Sequence, residues 1–278
     1  MKKNAQYKVA PHAAGMTLLD FLAEQRAIPK RQAKELLNSR NVLVNRQRTW
    51  MARHPLAAGD LVELQESGAG AVSPGKLPVL YQDPDYLIVC KRPGMLSNGP
   101  DSVESVLRIH LNLPALKAAH RLDRDTSGCQ LLAKSQRAFD DVVPLFRKHQ
   151  VKKCYHVIAA GKVDRVEQDV RIPIDGEPSL SHFRTLDANR EASHLFATIE
   201  TGRTHQIRRH LDMIHHPVLG DRQYGLRYGV TEKAMRTGRQ MLHSFSISFP
   251  HPRTGQRVFA KSPLPRDFLQ CLRAFRLT

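Results

Sequence analysis

Apolar residues along this chain fall into short runs whose spacing changes from helical to alternating and back. Leu18, Leu19, Phe21 and Leu22 give one helical face. Pro29 suits the start of a second helix, in which Ala33, Leu36 and Leu37 recur at helical spacing. Arg31 and Lys34, three apart, share a side of that helix. Val42-Leu43-Val44-Asn45 and Leu61-Val62-Glu63-Leu64 read as strands, the second entered through the turn Gly59-Asp60. Small, turn-forming residues follow. Ser67-Gly68-Ala69-Gly70-Ala71 and Ser73-Pro74-Gly75-Lys76 predict a linker over 67–77, between a small αβ domain (1–66) and a larger one (78–278).

Beyond the linker, Val79-Leu80-Tyr81 and Leu87-Ile88-Val89-Cys90 read as paired strands around Asp83-Pro84-Asp85, with a sharp turn at Lys91-Arg92-Pro93-Gly94. Cys129–Ala133 is another strand. Ser135 is placed to cap a helix whose apolar face is Phe139, Val142, Val143 and Phe146, and Pro144 should kink or end it. Further strands are expected at Tyr155–Ala160, His194–Thr201 and His243–Phe249. Strands outnumber long helices without steady βαβ alternation. The fold class expected is therefore α+β with a mixed, largely antiparallel sheet, not a doubly wound nucleotide fold.

Charge narrows the partners. The chain of 278 residues carries 43 Lys and Arg against 26 Asp and Glu, a net charge of +17. Such an excess attracts a polyanion, nucleic acid first. The four cysteines are scattered and form no C-x-x-C pair, which argues against a disulfide framework or a zinc site and for reduced thiols in the cytoplasm. The basic start, Met1 to Val9, has no apolar run behind it and does not read as a signal peptide, and no stretch has the length of a membrane span.

Two polar runs carry the candidate chemistry. His120-Arg121-Leu122-Asp123-Arg124-Asp125-Thr126-Ser127-Gly128 packs acids and bases before an apolar strand. Taken alone it reads as an exposed loop with a surface ion pair. Thr201-Gly202-Arg203-Thr204-His205-Gln206-Ile207-Arg208-Arg209-His210 follows a strand and opens a helix, a suitable seat for an anion. His205, His210, His215 and His216 invite a metal reading, but their spacing fits no metal motif, and no metal is expected.

Together the two runs resemble the RluA-type family of pseudouridine synthases. Residues 120–128 match its "H-R-L-D-x-x-T-S-G", and residues 201–210 its "T-G-R-T-H-Q-I-R-x-H". His216, Pro217, Leu219, Gly220, Asp221, Tyr224 and Gly225 match "H-P-x-L-G-D-x-x-Y-G"; Lys153-Cys154-Tyr155 matches "K-x-Y". The family's ending runs from Leu242 to Gly255, with Leu264-Pro265 at its late "P-L-P". Departures are Cys90-Lys91-Arg92-Pro93-Gly94 for "N-K-P-x-G", Cys129 and Gln130 in place of aliphatic residues, His156 after Tyr155, and Pro144 within a helix. Separately, about residues 15–65 resemble the RNA-binding domain of small-subunit ribosomal protein S-four. Arg40 and Arg46 stand at its two turn glycines, with Asn41 available for the left-handed conformation.

The resemblance implies an isomerase that breaks the glycosidic bond of a uridine in structured RNA, turns the ring and rejoins it through carbon, with no cofactor. Asp123 would be the essential carboxylate, Arg208 its ion-pair partner, and Tyr155 the platform for the base. A uridine inside a folded RNA must be extruded to reach the acid. Arg121 would fill the gap or contact a phosphate. Arg203, Lys153 and Arg209 would support RNA binding at the site, and Arg31, Lys34 and Arg40 would do so from the N-terminal domain. Asp125 reads as a turn residue, with the role of essential acid as its alternative. The expected partner is ribosomal RNA, with transfer RNA the other candidate, bound by a monomer. Two competing readings are a catalytically silent RNA-binding or ribosome-assembly factor on the same fold and a metal-dependent RNA hydrolase.

Overall fold

A computed structural model of the chain describes residues 5–38, 42–45, 47–49, 51–64, 77–225 and 237–278. The chain forms two compact units, Met1–Ser73 and Pro74–Thr278.

The first unit holds β1 (Ala5–Lys8), α1 (Leu18–Gln25), α2 (Lys30–Asn38), β2 (Val42–Val44), β3 (Gln47–Arg48) and β4 (Leu61–Leu64). Its strands form an antiparallel sheet in the order β1-β4-β2-β3. The sequence pattern explains the layers. Leu18, Phe21 and Leu22 of α1 and Ala33 and Leu37 of α2 are buried with Val42, Val44, Val62 and Leu64, which alternate along the strands. Thr17 caps α1 by accepting a hydrogen bond from Asp20 N at 3.2 Å. A left-handed residue of the β2 turn is Asn45 (φ 51°), whose amide bridges Asp60 and the Leu61 backbone. Arg40, Asn41, Arg46 and the side chain of Arg31 lie outside the described residues, as does the expected linker up to 76. Leu77, assigned to that linker by composition, is buried in the core of the second unit.

The second unit is built on a mixed sheet. Its strands are β5 (Val79–Gln82), β6 (Tyr86–Lys91), β7 (Lys117–Ala118), β8 (Ser127–Ala133), β9 (Lys152–Ala160), β10 (Glu167–Val170), β11 (Ser181–Ala188), β12 (Ala192–Ile199), β13 (Leu242–Pro250) and β14 (Arg257–Lys261). The order is β10-β11-β12-β9-β13-β8-β6-β5, with β7 on β8 and β14 on β13. Among the described strands every pairing is antiparallel except β13 with β8, where His243 lies beside Ser127 and Ser244 beside Gly128. Central β8 is buried along its whole length. The helices are α3 (Val103–His110), α4 (Gln136–Arg147), α5 (Gln206–Met213) and α6 (Arg266–Ala274).

Side chains alternate along β9. Tyr155, Val157 and Ala159 face one core with Leu122, Ile207, Leu211 and Leu242, while Ile158 faces another under α6. Two expectations need correction. Pro144 does not stop its helix: α4 runs from its Ser135 cap to Arg147. Pro144 falls in the last turn, where its missing N–H forfeits one bond, and Lys148 N still bonds the Pro144 carbonyl. The strand expected over His194–Thr201 ends at Ile199, which leaves Glu200–His205 as the turn that aims α5.

Candidate active site

The two polar runs meet in a cleft of about 540 Å³ in the second unit. Its lining includes Arg121, Leu122, Asp123 and Thr126 from the loop before β8, Lys153 and Tyr155 from β9, and Arg203, His205, Ile207 and Arg208 around the start of α5. The sheet explains the convergence. Tyr155 of β9 pairs with Ser244 of β13, and Ser244 pairs with Gly128 of β8. At Gly128 (φ +111°) the two backbones approach so closely that a Cβ would lie 2.0 Å from the Ser244 carbonyl oxygen. Only glycine permits the loop ending at Thr126 to seat itself there.

That loop is fastened from several sides. Ser97 Oγ accepts from Leu122 N at 2.8 Å and donates to Gln130 Oε1 at 2.7 Å. Gln130 Nε2 in turn donates to the His120 carbonyl at 2.7 Å, so a residue that departs from the family pattern supports the loop. His120 stacks on Phe146, and its Nε2 accepts from Leu131 N. Burial, with help from Lys153, pushes the imidazole down to about 3. It is a neutral acceptor that shapes the loop. Lys91 is fully buried and donates to the carbonyls of Arg92, Met95 and Arg124. Arg239 is buried and reaches the carbonyl of Asp125 at 3.0 Å while its guanidinium clasps Asp267 at the start of α6.

Asp123 is half-buried in the cleft. Its Oδ2 accepts from Arg208 Nη1 at 3.0 Å and from Gln240 Nε2 at 3.5 Å. Arg208 is buried and bidentate to Asp221, with Nε to Oδ2 at 2.5 Å and Nη2 to Oδ1 at 2.9 Å. Burial opposes its charge, but Asp221 and then Asp123 overcome that and raise its pKa further. Asp221 also accepts from the backbone N–H groups of Gln223 and Tyr224. The Tyr224 ring lies under the Arg208 guanidinium at 5.0 Å. Tyr155 is 5 % exposed; burial and then the Asp123 charge push its phenol well above the ordinary tyrosine range, so it stays protonated.

The remaining expected residues separate into two groups. Arg121 is exposed at the cleft and makes no side-chain hydrogen bond or ion pair to a described residue. Lys153 is buried beneath Gly202, donates to the Thr201 carbonyl at 3.1 Å, and burial draws its amine down to about 8. Arg203 lines the cleft while paired with Glu177 at 3.1 Å. Arg209, one position after Arg208 and so about 100° round the helix, is not among the cleft-lining residues and pairs with Asp175 at 2.8 Å. Three of the four histidines are held separately: His205 by Tyr224, His210 by Ser179 and Ser181, His216 by the Ala160 carbonyl. Among the described residues a group able to hold a cation is Asp83, Asp85 and His251, and its carboxylates already serve Tyr81, the Asp85 and Tyr86 backbone and Arg253. Sequence reasoning quoted Asp221 and Lys91 in motifs without giving either a role and missed Gln240 and Arg239. Asp221 could have been found from its motif. Gln240 and Arg239 carry no such signal.

The cleft thus sets a carboxylate against a buried arginine, near a protonated tyrosine, on a mixed sheet. Residues 85–213 match the RNA pseudouridylate synthase family. Ribosomal large subunit pseudouridine synthase D of Pseudomonas aeruginosa is 31 % identical over 231 residues, 72 % of either chain. Ribosomal large subunit pseudouridine synthase C of Vibrio cholerae is 30 % identical over 95 % of this chain and 94 % of its own. Human RNA pseudouridylate synthase domain containing 4 has the same fold over 76 % of this chain and 98 % of its own, at TM-score 0.64 and 22 % identity. The chain belongs to the RNA pseudouridine synthase family, in its RluA-type branch. It is an isomerase of that class, and no helix among its described residues is long and apolar enough to cross a membrane.

Proposed function

We propose that this protein converts specific uridines of ribosomal RNA to pseudouridine, with Asp123 as the essential carboxylate. The observation that carries the reading is the Arg208–Asp123 ion pair at 3.0 Å inside the cleft. The ion pair fixes the position of the carboxyl group that would attack the ribose, add to the base, or abstract a proton. Tyr155 offers its ring to the uracil, and its protonated hydroxyl is a donor rather than a base. The cleft is within the range of about 300–1,000 Å³ that suits a flipped nucleotide. Arg121, free at the rim, enters the gap the uridine leaves. Lys153 and Arg203 hold the flanking backbone, and Arg209 makes a peripheral contact by exchanging Asp175 for a phosphate. The ribosomal substrate follows from the names of the relatives; transfer RNA is the other class to be assayed. Four free thiols support action in the cytoplasm. Arg31, Lys34 and Arg40 of the N-terminal unit provide a further RNA contact.

Tritium release from 5-tritiated uridine in ribosomal RNA tests this. Wild type should release label, and Asp123→Ala should lose about 10³-fold or more while still binding RNA. Binding without release by wild type would sink the reading. Arg121→Ala should slow release from folded RNA more than from unstructured RNA; an equal loss on both would make Arg121 a phosphate contact.

A further inference from the structure

The two oxygens of Asp123 are in different surroundings. Oδ2 is taken by Arg208 and Gln240. Oδ1 faces His205 Nε2 at 3.7 Å, beyond hydrogen-bond length. His205 is itself tightly placed. It is the cap of α5 in the left-handed conformation (φ 56°), a region costly for most side chains. Its Nδ1 lies 3.0 Å from the Tyr224 hydroxyl, and its ring meets the Tyr224 ring edge to face at 5.8 Å. Tyr224 is fixed in turn by the Arg208 guanidinium and by Asp221. The contacts close a ring: Asp221 holds Arg208 and Tyr224, Tyr224 holds His205, and Arg208 and His205 flank Asp123.

This ring sets the histidine tautomer. Burial, and then the charge of Arg208, disfavour a second proton on His205, although Asp123 pulls the other way; the balance lies below the ordinary histidine range. A neutral imidazole carries one proton. Were it on Nδ1, the Nε2 lone pair would face the carboxylate, which is repulsive. With the proton on Nε2, Nδ1 accepts from the Tyr224 hydroxyl, and burial keeps that phenol protonated.

We propose that His205 is a positioning residue of the isomerisation. Oriented by the Tyr224 hydroxyl, it directs an Nε2–H dipole at Asp123 Oδ1 and thereby makes Oδ1, the oxygen left without a short hydrogen bond, the one presented to the uridine. The proposal rests on Asp123 being the essential carboxylate, which the Asp123→Ala assay decides separately.

The test is single-turnover and steady-state tritium release with His205→Asn, His205→Gln, Tyr224→Phe and the His205→Asn/Tyr224→Phe double variant. Asn tolerates the left-handed backbone, so His205→Asn keeps the fold, verified by its melting temperature. Its shorter amide does not reach Oδ1. Release should slow about 10- to 100-fold in kcat, with RNA affinity within about twofold of wild type. His205→Gln, whose amide nitrogen can take the place of Nε2, should regain part of the rate. Tyr224→Phe keeps the ring under Arg208 and should slow kcat by less. The double variant should be no slower than His205→Asn alone, because Tyr224 acts through His205. Three results overturn the proposal: an unchanged kcat in His205→Asn, a loss of RNA affinity with kcat intact, or multiplicative losses in the double variant.

Discussion

At the scale of single residues, the site depends on how buried charge is neutralised. Arg208 (6 % of its side chain exposed) is shared between Asp221 (1 %) and Asp123 (20 %). Asp221 is almost fully buried and accounts for most of the neutralisation, which leaves Asp123 as the more exposed carboxylate, the one proposed to act on the uridine. Asp221→Asn should therefore destabilise the protein by about 3 kcal/mol in urea unfolding and draw Arg208 away from its aim at Asp123. An unchanged midpoint would show that Asp123 suffices alone. Lys91 behind the loop is a different case. Burial drives its amine down to about 7, against the pull of Asp125 and Asp123. Between that value and the ordinary lysine range the unfolded chain binds one proton more than the folded chain. Stability relative to Lys91→Met should accordingly rise as pH goes from about 7 to 10. Paired urea titrations of both proteins across that window read it directly; a flat difference would assign Lys91 an ordinary pKa and a falling one a raised pKa, and either would overturn the prediction.

At the scale of elements, the loop carrying Asp123 is held by a parallel contact of the sheet, β13 with β8. Gly128→Ala would place a methyl group on the Ser244 carbonyl and part the two strands. A loss of more than about 4 kcal/mol is expected, with release activity lost alongside; a small shift in melting temperature would mean the strands can separate without harm. How much of this was legible in the sequence follows from where the information lay. Strands such as β6, β8, β9 and β13 carry dense apolar runs and were read within a few residues. β10 (Glu-Gln-Asp-Val) is polar and short, and only its pairing with β11 defines it. Asp123 and Arg208 were legible through motifs. Their support was not, because Gln240 and Lys91 reach the loop only once distant strands pair. Arg208 and Arg209 are alike in sequence, yet helix geometry turns the first into the cleft and the second toward Asp175.

At the scale of the whole molecule, a net charge of +17 predicts that the proposed binding to RNA weakens steeply with salt through counterion release. The catalytic unit spends several of its cations internally: Arg208 on Asp221, Arg209 on Asp175, Arg203 on Glu177, Arg239 on Asp267. Cations so paired release fewer counterions than free ones. On the proposal that the N-terminal unit contacts RNA, its cations would add phosphate contacts, and Lys34 is exposed on α2. Replacing Arg31, Lys34 and Arg40 together by Ala should flatten the slope of log affinity against log salt by about 2–3, since each lost phosphate contact removes about 1. The substitutions lie in a different unit from Asp123, so kcat on a short RNA bearing the target uridine should hold while KM on intact ribosomal RNA rises. An unchanged salt slope would remove these three residues from the RNA-binding surface and return the whole electrostatic attraction to the catalytic unit.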